Sequence, residues 1–321
     1  MGRFWSRALI ILFLSFLCAS CAVRSTPQPM ATPRPSPTPE PSPTATRRGP
    51  QIYQEPGDYI DSLTVDGYER LFLLHVPSDY RPQVPMPLVI NLHGRGGTAF
   101  MQEDASRMSQ KADEEGFLVV TPQALGEPET WYGVLQQEIG DQDRAFFQTL
   151  LAYLREELSI DPNRIYATGL SNGASMANWL GCDMAETLAA IAPVAGAHPA
   201  FWACKNSEPV SVLAIHGVKD AVIPYAGNGD DIPEVRTWVE AWVARNGCCA
   251  DSVVDETYPG ATREVWNGCD AGVEVQFISV AEGEHTWLGL EFGSFEEGYA
   301  VKAGATDVIW DFFSAHPKIS P

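Results

Sequence analysis

Gly169-Leu170-Ser171-Asn172-Gly173 places a serine between two glycines. The segment follows a short apolar run and opens a stretch with helical spacing. A strand-to-helix turn of this kind exposes a hydroxyl, with glycines where a Cβ would clash. The start of the helix aims unpaired N–H groups and a positive dipole end at the same point. Ser171 is therefore read as a nucleophile; the plain alternative is a serine capping a glycine-rich helix start. A hydroxyl needs a base, and the base a carboxylate, in the chain order serine, acid, histidine. Of the four histidines after Ser171, His198 has no paired motif, His216 ends a strand and His316 lies past the last helix. His285, in Gly283-Glu284-His285-Thr286-Trp287 after the last strand, is the expected base. Asp220, four residues beyond His216, is the expected acid; Asp230 and Asp231 are alternatives further from the strand end.

Acyl transfer also needs donors for a developing oxyanion. The backbone N–H of Asn172 directly follows the nucleophile. A second donor is expected from His93-Gly94-Arg95-Gly96-Gly97, after an early apolar run: the N–H of Arg95, or that of Gly96. His93 itself reads as structural. Trp131, Tyr132, Tyr225 and Trp287 lie in neighbouring loops and are candidates to shape a substrate cleft, although ordinary packing would account for each equally well. No Cys-x-x-Cys or His-Glu-x-x-His pattern argues for a metal, and no cofactor is expected.

Positioning these residues requires strands whose ends share an edge. Leu63-Thr64-Val65 and the apolar run 71–76 flank Asp66-Gly67, a hairpin turn signal. Apolar runs at 87–92, 117–121, 164–168, 189–194, 210–215 and 273–280 read as strands. Helical spacing marks 102–115, 142–158, 172–182, 232–245 and 301–314. Phe146, Phe147, Leu150, Leu151 and Leu154 form one apolar stripe, and Val235, Trp238, Trp242 and Val243 another. Continuously apolar strands alternating with helices predict an α/β domain. Its sheet is mostly parallel with helices on both faces, and the hairpin is an antiparallel N-terminal edge. Ligand sites in such sheets lie at the carboxyl ends of strands, where the motif loops fall. No repeat or second core is visible, so 57–317 reads as one catalytic domain.

As a set, these strings, with Pro224-Tyr225 after the acid loop, resemble the secreted esterases of the polyhydroxybutyrate depolymerase and feruloyl esterase group. That group belongs to carbohydrate esterase family one and has the α/β-hydrolase fold. The resemblance covers roughly residues 57–317, including the cysteine positions and the closing Ile309-Trp310-Asp311-Phe312-Phe313. It implies that Ser171, Asp220 and His285 fall on the family's triad. It further implies cofactor-free hydrolysis of carboxylic esters through an acyl-enzyme. The implied substrates are feruloyl or acetyl esters of plant polysaccharide, or short hydroxyalkanoate polyesters. Glu284 and Leu288 depart from the family's usual Gly and Pro. Two further readings are a serine peptidase of the same fold and a non-catalytic surface lipoprotein that binds polysaccharide. No segment suggests the propeller or cap such peptidases carry, and the filled triad positions argue against a mere binder.

The N-terminus suggests an address. Arg3 and Arg7, an apolar run over 8–18 and Ala19-Ser20-Cys21 have the layout of a secretory signal, with Cys21 placed as the acylated residue of a bacterial lipoprotein. Residues 1–21 are thus read as signal peptide. Residues 22–56 read as an extended linker, since 22–50 hold nine of the 25 prolines among Thr and Ser. No apolar run reaches the roughly 18 residues of a spanning helix. The expected placement is extracellular or at the cell surface, as a monomer held to the membrane only by lipid. The first 50 residues carry six Arg and one Glu, which leaves 15 basic and 40 acidic groups in 51–321. So acidic a domain is repelled by nucleic acid. In an exported domain, Cys182, Cys204, Cys248, Cys249 and Cys269 read as disulfide formers. The expected pairs are Cys182 with Cys204, and Cys248 or Cys249 with Cys269; five is odd, so one thiol is left over.

Overall fold

Asp66 and Gly67 both adopt positive φ, 51° and 84°, and close a hairpin whose twist suits that turn. Its strands are β1 (Gly57–Val65) and β2 (Tyr68–Val76), paired antiparallel in a computed structural model of the chain. The structure describes residues 52–132, 137–196, 208–229, 232–256, 258, 260–287 and 304–318, all within the unit Ala45–Pro321. The signal and most of the linker, with Cys21, lie outside the described residues, as do His198, Cys204, Asp230, Asp231 and Leu288. Folded packing begins before residue 57. Tyr53 is 1% exposed, and its hydroxyl donates to Asp61 at 2.5 Å.

The remaining strands are β3 (Met86–Leu92), β4 (Leu118–Pro122), β5 (Ile160–Leu170), β6 (Ala190–Val194), β7 (Ser211–Gly217), β8 (Val253–Asp255), β9 (Ala261–Trp266) and β10 (Val275–Val280). They form one ten-stranded sheet in the order β1-β2-β4-β3-β5-β6-β7-β10-β9-β8. The centre, β4 to β10, is parallel; β1–β2 and β9–β8 extend it antiparallel at the two edges. The β8–β9 edge adds a second hairpin to the expected one. Its strands are short and half-exposed, with charged residues interleaved, so no apolar run marks them.

The helices are α1 (Ala99–Ser106), α2 (Met108–Glu115), α3 (Gln137–Glu157), α4 (Asn172–Asp183), α5 (Val235–Arg245) and α6 (Ala305–Ala315). One core packs α3, α4 and α5 on one face of the sheet: Phe146, Phe147, Leu150, Leu154, Trp238 and Trp242 are all buried there. A second packs α2 and α6 on the other, through Met108, Ile309 and Phe313. The helix expected over 102–115 is instead two. Arg107 takes the left-handed conformation (φ 51°), its N–H donating to the Glu103 carbonyl, and this caps α1 before α2 starts. Of the cysteine pairs, the structure joins Cys248 to Cys269. Cys248 packs against the first core, whereas the Cys249 sulfur lies over Gly268, so Cys249 is not the partner of Cys269. Cys182 is disulfide-bonded.

Candidate active site

Parallel β3, β5, β7 and β10 bring four loops to one edge of the sheet. The turn after β5 holds Ser171 at φ 56° and ψ −114°, a conformation in which α4 starts immediately. The turn is tight enough to require its glycines: a Cβ on Gly173 would stand 2.2 Å from the Leu92 carbonyl oxygen, and one on Gly169 2.7 Å from the same atom. The turn after β7 brings Asp220, and the loop after β10 brings His285. Gly217 lets these two loops touch, since a Cβ there would lie 2.3 Å from the Gly283 carbonyl oxygen.

The three side chains meet. Ser171 Oγ is 2.9 Å from His285 Nε2, and His285 Nδ1 is 2.8 Å from Asp220 Oδ2. The other Asp220 oxygen accepts the N–H groups of Val222 and Ile223 at 2.9 and 2.7 Å. With Nδ1–H donating to the carboxylate, Nε2 is left to accept the serine proton. His216 borders the acid: its buried ring donates through Nε2 to the Ile223 carbonyl at 2.9 Å and stands 3.4 Å from Asp220 Oδ2. Burial lowers its pKa, which favours the neutral ring. His93 is likewise buried, with a lowered pKa. Its Nδ1 donates to the Gly94 carbonyl, and Nε2 accepts the Ala124 N–H at 3.0 Å, so it braces its loop, as expected of a structural residue.

In that loop the Gly96 N–H donates to the Glu129 carbonyl at 2.7 Å, which removes it as an oxyanion donor. Among the described residues, neither the Arg95 N–H nor the Asn172 N–H donates to a protein acceptor. A cavity of about 280 Å³ lies over Ser171 and His285, lined also by Gly94, Arg95, Met101, Gln102, Ala105 and Leu170. None of the four expected cleft aromatics lines it. Trp131 is 1% exposed, and its indole N–H donates to the His93 carbonyl at 3.0 Å. Tyr132 is half-buried, its hydroxyl against Gly126. Tyr225 stacks on Phe277 and bonds Ser279 through its hydroxyl. Trp287 donates to Thr306 Oγ1 beside a separate hollow. The wall they were expected to supply comes from α1 instead. Its sequence signal is the exposed Met101, a few residues after the His93–Gly97 loop.

A serine at a sharp strand-to-helix turn, hydrogen-bonded to a histidine that is in turn held by an aspartate, both from later strand ends, is the arrangement of a serine hydrolase of the α/β-hydrolase fold. The prolyl oligopeptidase family matches residues 103–201, a span that contains Ser171 but neither Asp220 nor His285. The chain is 27% identical over 230 residues to feruloyl esterase B of Piromyces equi, covering 67% of this chain and 42% of that protein's length. It is 31% identical over 273 residues to NocK of Nocardia uniformis subsp. tsuyamanensis, a protein named as an esterase, covering 76% of this chain and 77% of the other. Among solved structures, an acetyl xylan esterase from Aspergillus awamori superposes with a TM-score of 0.62 at 15% identity, over 80% of this chain and 99% of that one. The chain belongs to the esterase family that includes NocK, and it spans less than half the length of the Piromyces equi relative.

Proposed function

We propose that this enzyme hydrolyses hydroxycinnamoyl or acetyl esters carried on plant polysaccharide, with Ser171, His285 and Asp220 as its triad. The observation that carries the reading is the continuous hydrogen-bonded relay from Ser171 Oγ through His285 to Asp220. Ser171 attacks the ester carbonyl as His285 Nε2 takes its proton. The oxyanion is met by the N–H groups of Asn172 and Arg95. His285 then protonates the leaving alcohol, an acyl-enzyme remains, and a water deprotonated by His285 releases the acid. Asp220 holds the ring and stabilises the imidazolium throughout. The name of the Piromyces equi relative supports a feruloyl ester as the substrate. An exported enzyme tethered by the Pro-rich segment ahead of Tyr53 suits a substrate too large to import, and the signal-like 1–21 segment with Cys21 supports that placement.

The test is hydrolysis of methyl ferulate beside p-nitrophenyl acetate and butyrate, with Ser171→Ala as the blank. Ferulate turnover lost in the variant supports a hydroxycinnamoyl esterase. Turnover of the small acyl esters alone moves the substrate to acetyl or hydroxyalkanoate esters. A second reading, a serine peptidase, is favoured by the prolyl oligopeptidase match around the nucleophile. Cleavage of p-nitroanilide amides at rates matching the esters would select it.

A further inference from the structure

Helix α1 has two stripes with different neighbours. Met101 and Ala105, one turn apart, face the catalytic cavity. Phe100 and Asp104, also one turn apart, face a groove of about 540 Å³ between α1–α2 and the β1–β2 hairpin. That volume lies within the range of roughly 300–1,000 Å³ typical of small-molecule sites. A third hollow shares Ala105 with the catalytic cavity, and Arg107 and Gln110 with the groove, so the depressions continue around the helix. A flexible chain crossing α1, about 10–12 Å across with its side chains, could occupy the groove while one of its substituents enters the cavity.

The groove's chemistry limits its occupant. Phe100 is 56% exposed, an apolar ring displayed to solvent. Asp104, Arg107 and Gln110 surround it, exposed, and none forms an ion pair or side-chain hydrogen bond among the described residues. On the groove floor His75 is 9% exposed and held at Nδ1 by Asp58, 2.7 Å away. Its buried Nε2 makes no hydrogen bond among the described residues, with Asp113 Oδ1 3.5 Å off. An apolar ring ringed by planar carboxylate, guanidinium and amide groups suits a flat-faced, hydroxyl-rich ring. The lining carboxylates disfavour a polyanion.

We propose that this groove is a subsite for a neutral sugar chain, stacked on Phe100 and hydrogen-bonded by Asp104, Arg107 and Gln110, which holds a polymer beside the catalytic cavity. The proposal rests on the reading of the substrate as a polysaccharide ester.

The full chain carrying Ser171→Ala, titrated calorimetrically with xylohexaose and with cellohexaose, is expected to bind at least one of them. Adding Phe100→Ala should weaken that binding about five-fold, and Phe100→Trp should retain it. In the active enzyme, Phe100→Ala should raise KM on feruloylated arabinoxylan by a similar factor and leave kcat/KM on methyl ferulate within about two-fold. The subsite is overturned if neither oligosaccharide binds, if Phe100→Ala leaves binding and the polymer KM unchanged, or if both substrates lose equally. A wild-type enzyme without ferulate turnover would instead fail the substrate reading, and the titration would still decide the groove.

Discussion

Trp131 and Asn172 exchange two hydrogen bonds: the Trp131 N–H donates to Asn172 Oδ1 at 2.7 Å, and Asn172 Nδ2 donates to the Trp131 carbonyl at 3.0 Å. Through its indole N–H, Trp131 also holds the His93 carbonyl. One buried residue therefore fixes the nucleophile turn relative to the loop that offers the Arg95 N–H. Catalysis that depends on preorganised donors is sensitive to such a tie. Asn172→Ala keeps the backbone N–H and removes both side-chain bonds, worth roughly 0.5–1.5 kcal/mol each. The expected result is a fall in kcat on p-nitrophenyl acetate of about ten-fold with little change in KM. An unchanged kcat would mean that the tie does not position the donors.

Gly217→Ala addresses the other half of the site. Its Cβ would stand 2.3 Å from the Gly283 carbonyl oxygen; the backbone fixes the Cβ position and the oxygen is itself backbone, so neither can rotate away. The loop carrying His285 must then shift from the one carrying Asp220. A displacement of about 1 Å is enough to cost roughly a hundred-fold in rate. The variant is expected to lose kcat to that extent, with circular dichroism close to wild type. Full activity would show that the two loops are not held by this contact.

Much of this arrangement is legible in the sequence, because residue type and spacing carry it. The glycines around Ser171 mark backbone approaches that only glycine allows. The Phe146–Leu154 stripe, one face of an α-helix, is buried as spaced. Other features depend on long-range packing that no local pattern records. Arg107 takes a left-handed conformation without glycine and splits the expected helix. Trp131 reads as an aromatic in a loop near the site, but its direction is set by Asn172 and His93, 41 and 38 residues away. Adjacent Cys248 and Cys249 are equivalent by spacing. Only the core beneath Cys248 separates them.

Acid stability should report the two buried histidines. Burial lowers the pKa of both His93 and His216, so the unfolded chain, titrating near 6.5, takes up protons before the folded one does. Their contribution to stability is fully present above about pH 6.5 and is lost progressively below it, until the folded-state pKa values are reached. At His93 the geometry agrees with the effect of burial: its Nε2 already accepts the Ala124 N–H, so a proton there would face a donor. The melting temperature is expected to be flat from pH 8 to about 6.5 and to fall below that. His93→Gln should start from a lower value and fall less steeply. Glu274, whose pKa the His316 hydrogen bond lowers, acts in a separate window below the carboxylate range. A melting temperature that is level down to pH 5 would contradict the buried-histidine account.

The Cys248–Cys269 bridge ties the end of α5 to the turn after β9, across 21 residues that contain the exposed β8–β9 edge. Closing a loop of that size is worth about 3 kcal/mol in the chain-entropy account. The bridge lies ahead of β10, while His285 follows its end, so at least the strand's own length, about 17 Å, separates them along the chain. Stability and catalysis should therefore separate. Cys269→Ser is expected to lower unfolding free energy by about 2–4 kcal/mol while leaving kcat on p-nitrophenyl acetate within about two-fold at 25 °C, where the protein stays folded. Cys249→Ser should leave the bridge intact in non-reducing peptide mapping. A peptide joining Cys249 to Cys269 would reverse the assignment. A loss of kcat in Cys269→Ser at full folding would show that the sheet edge supports the base loop.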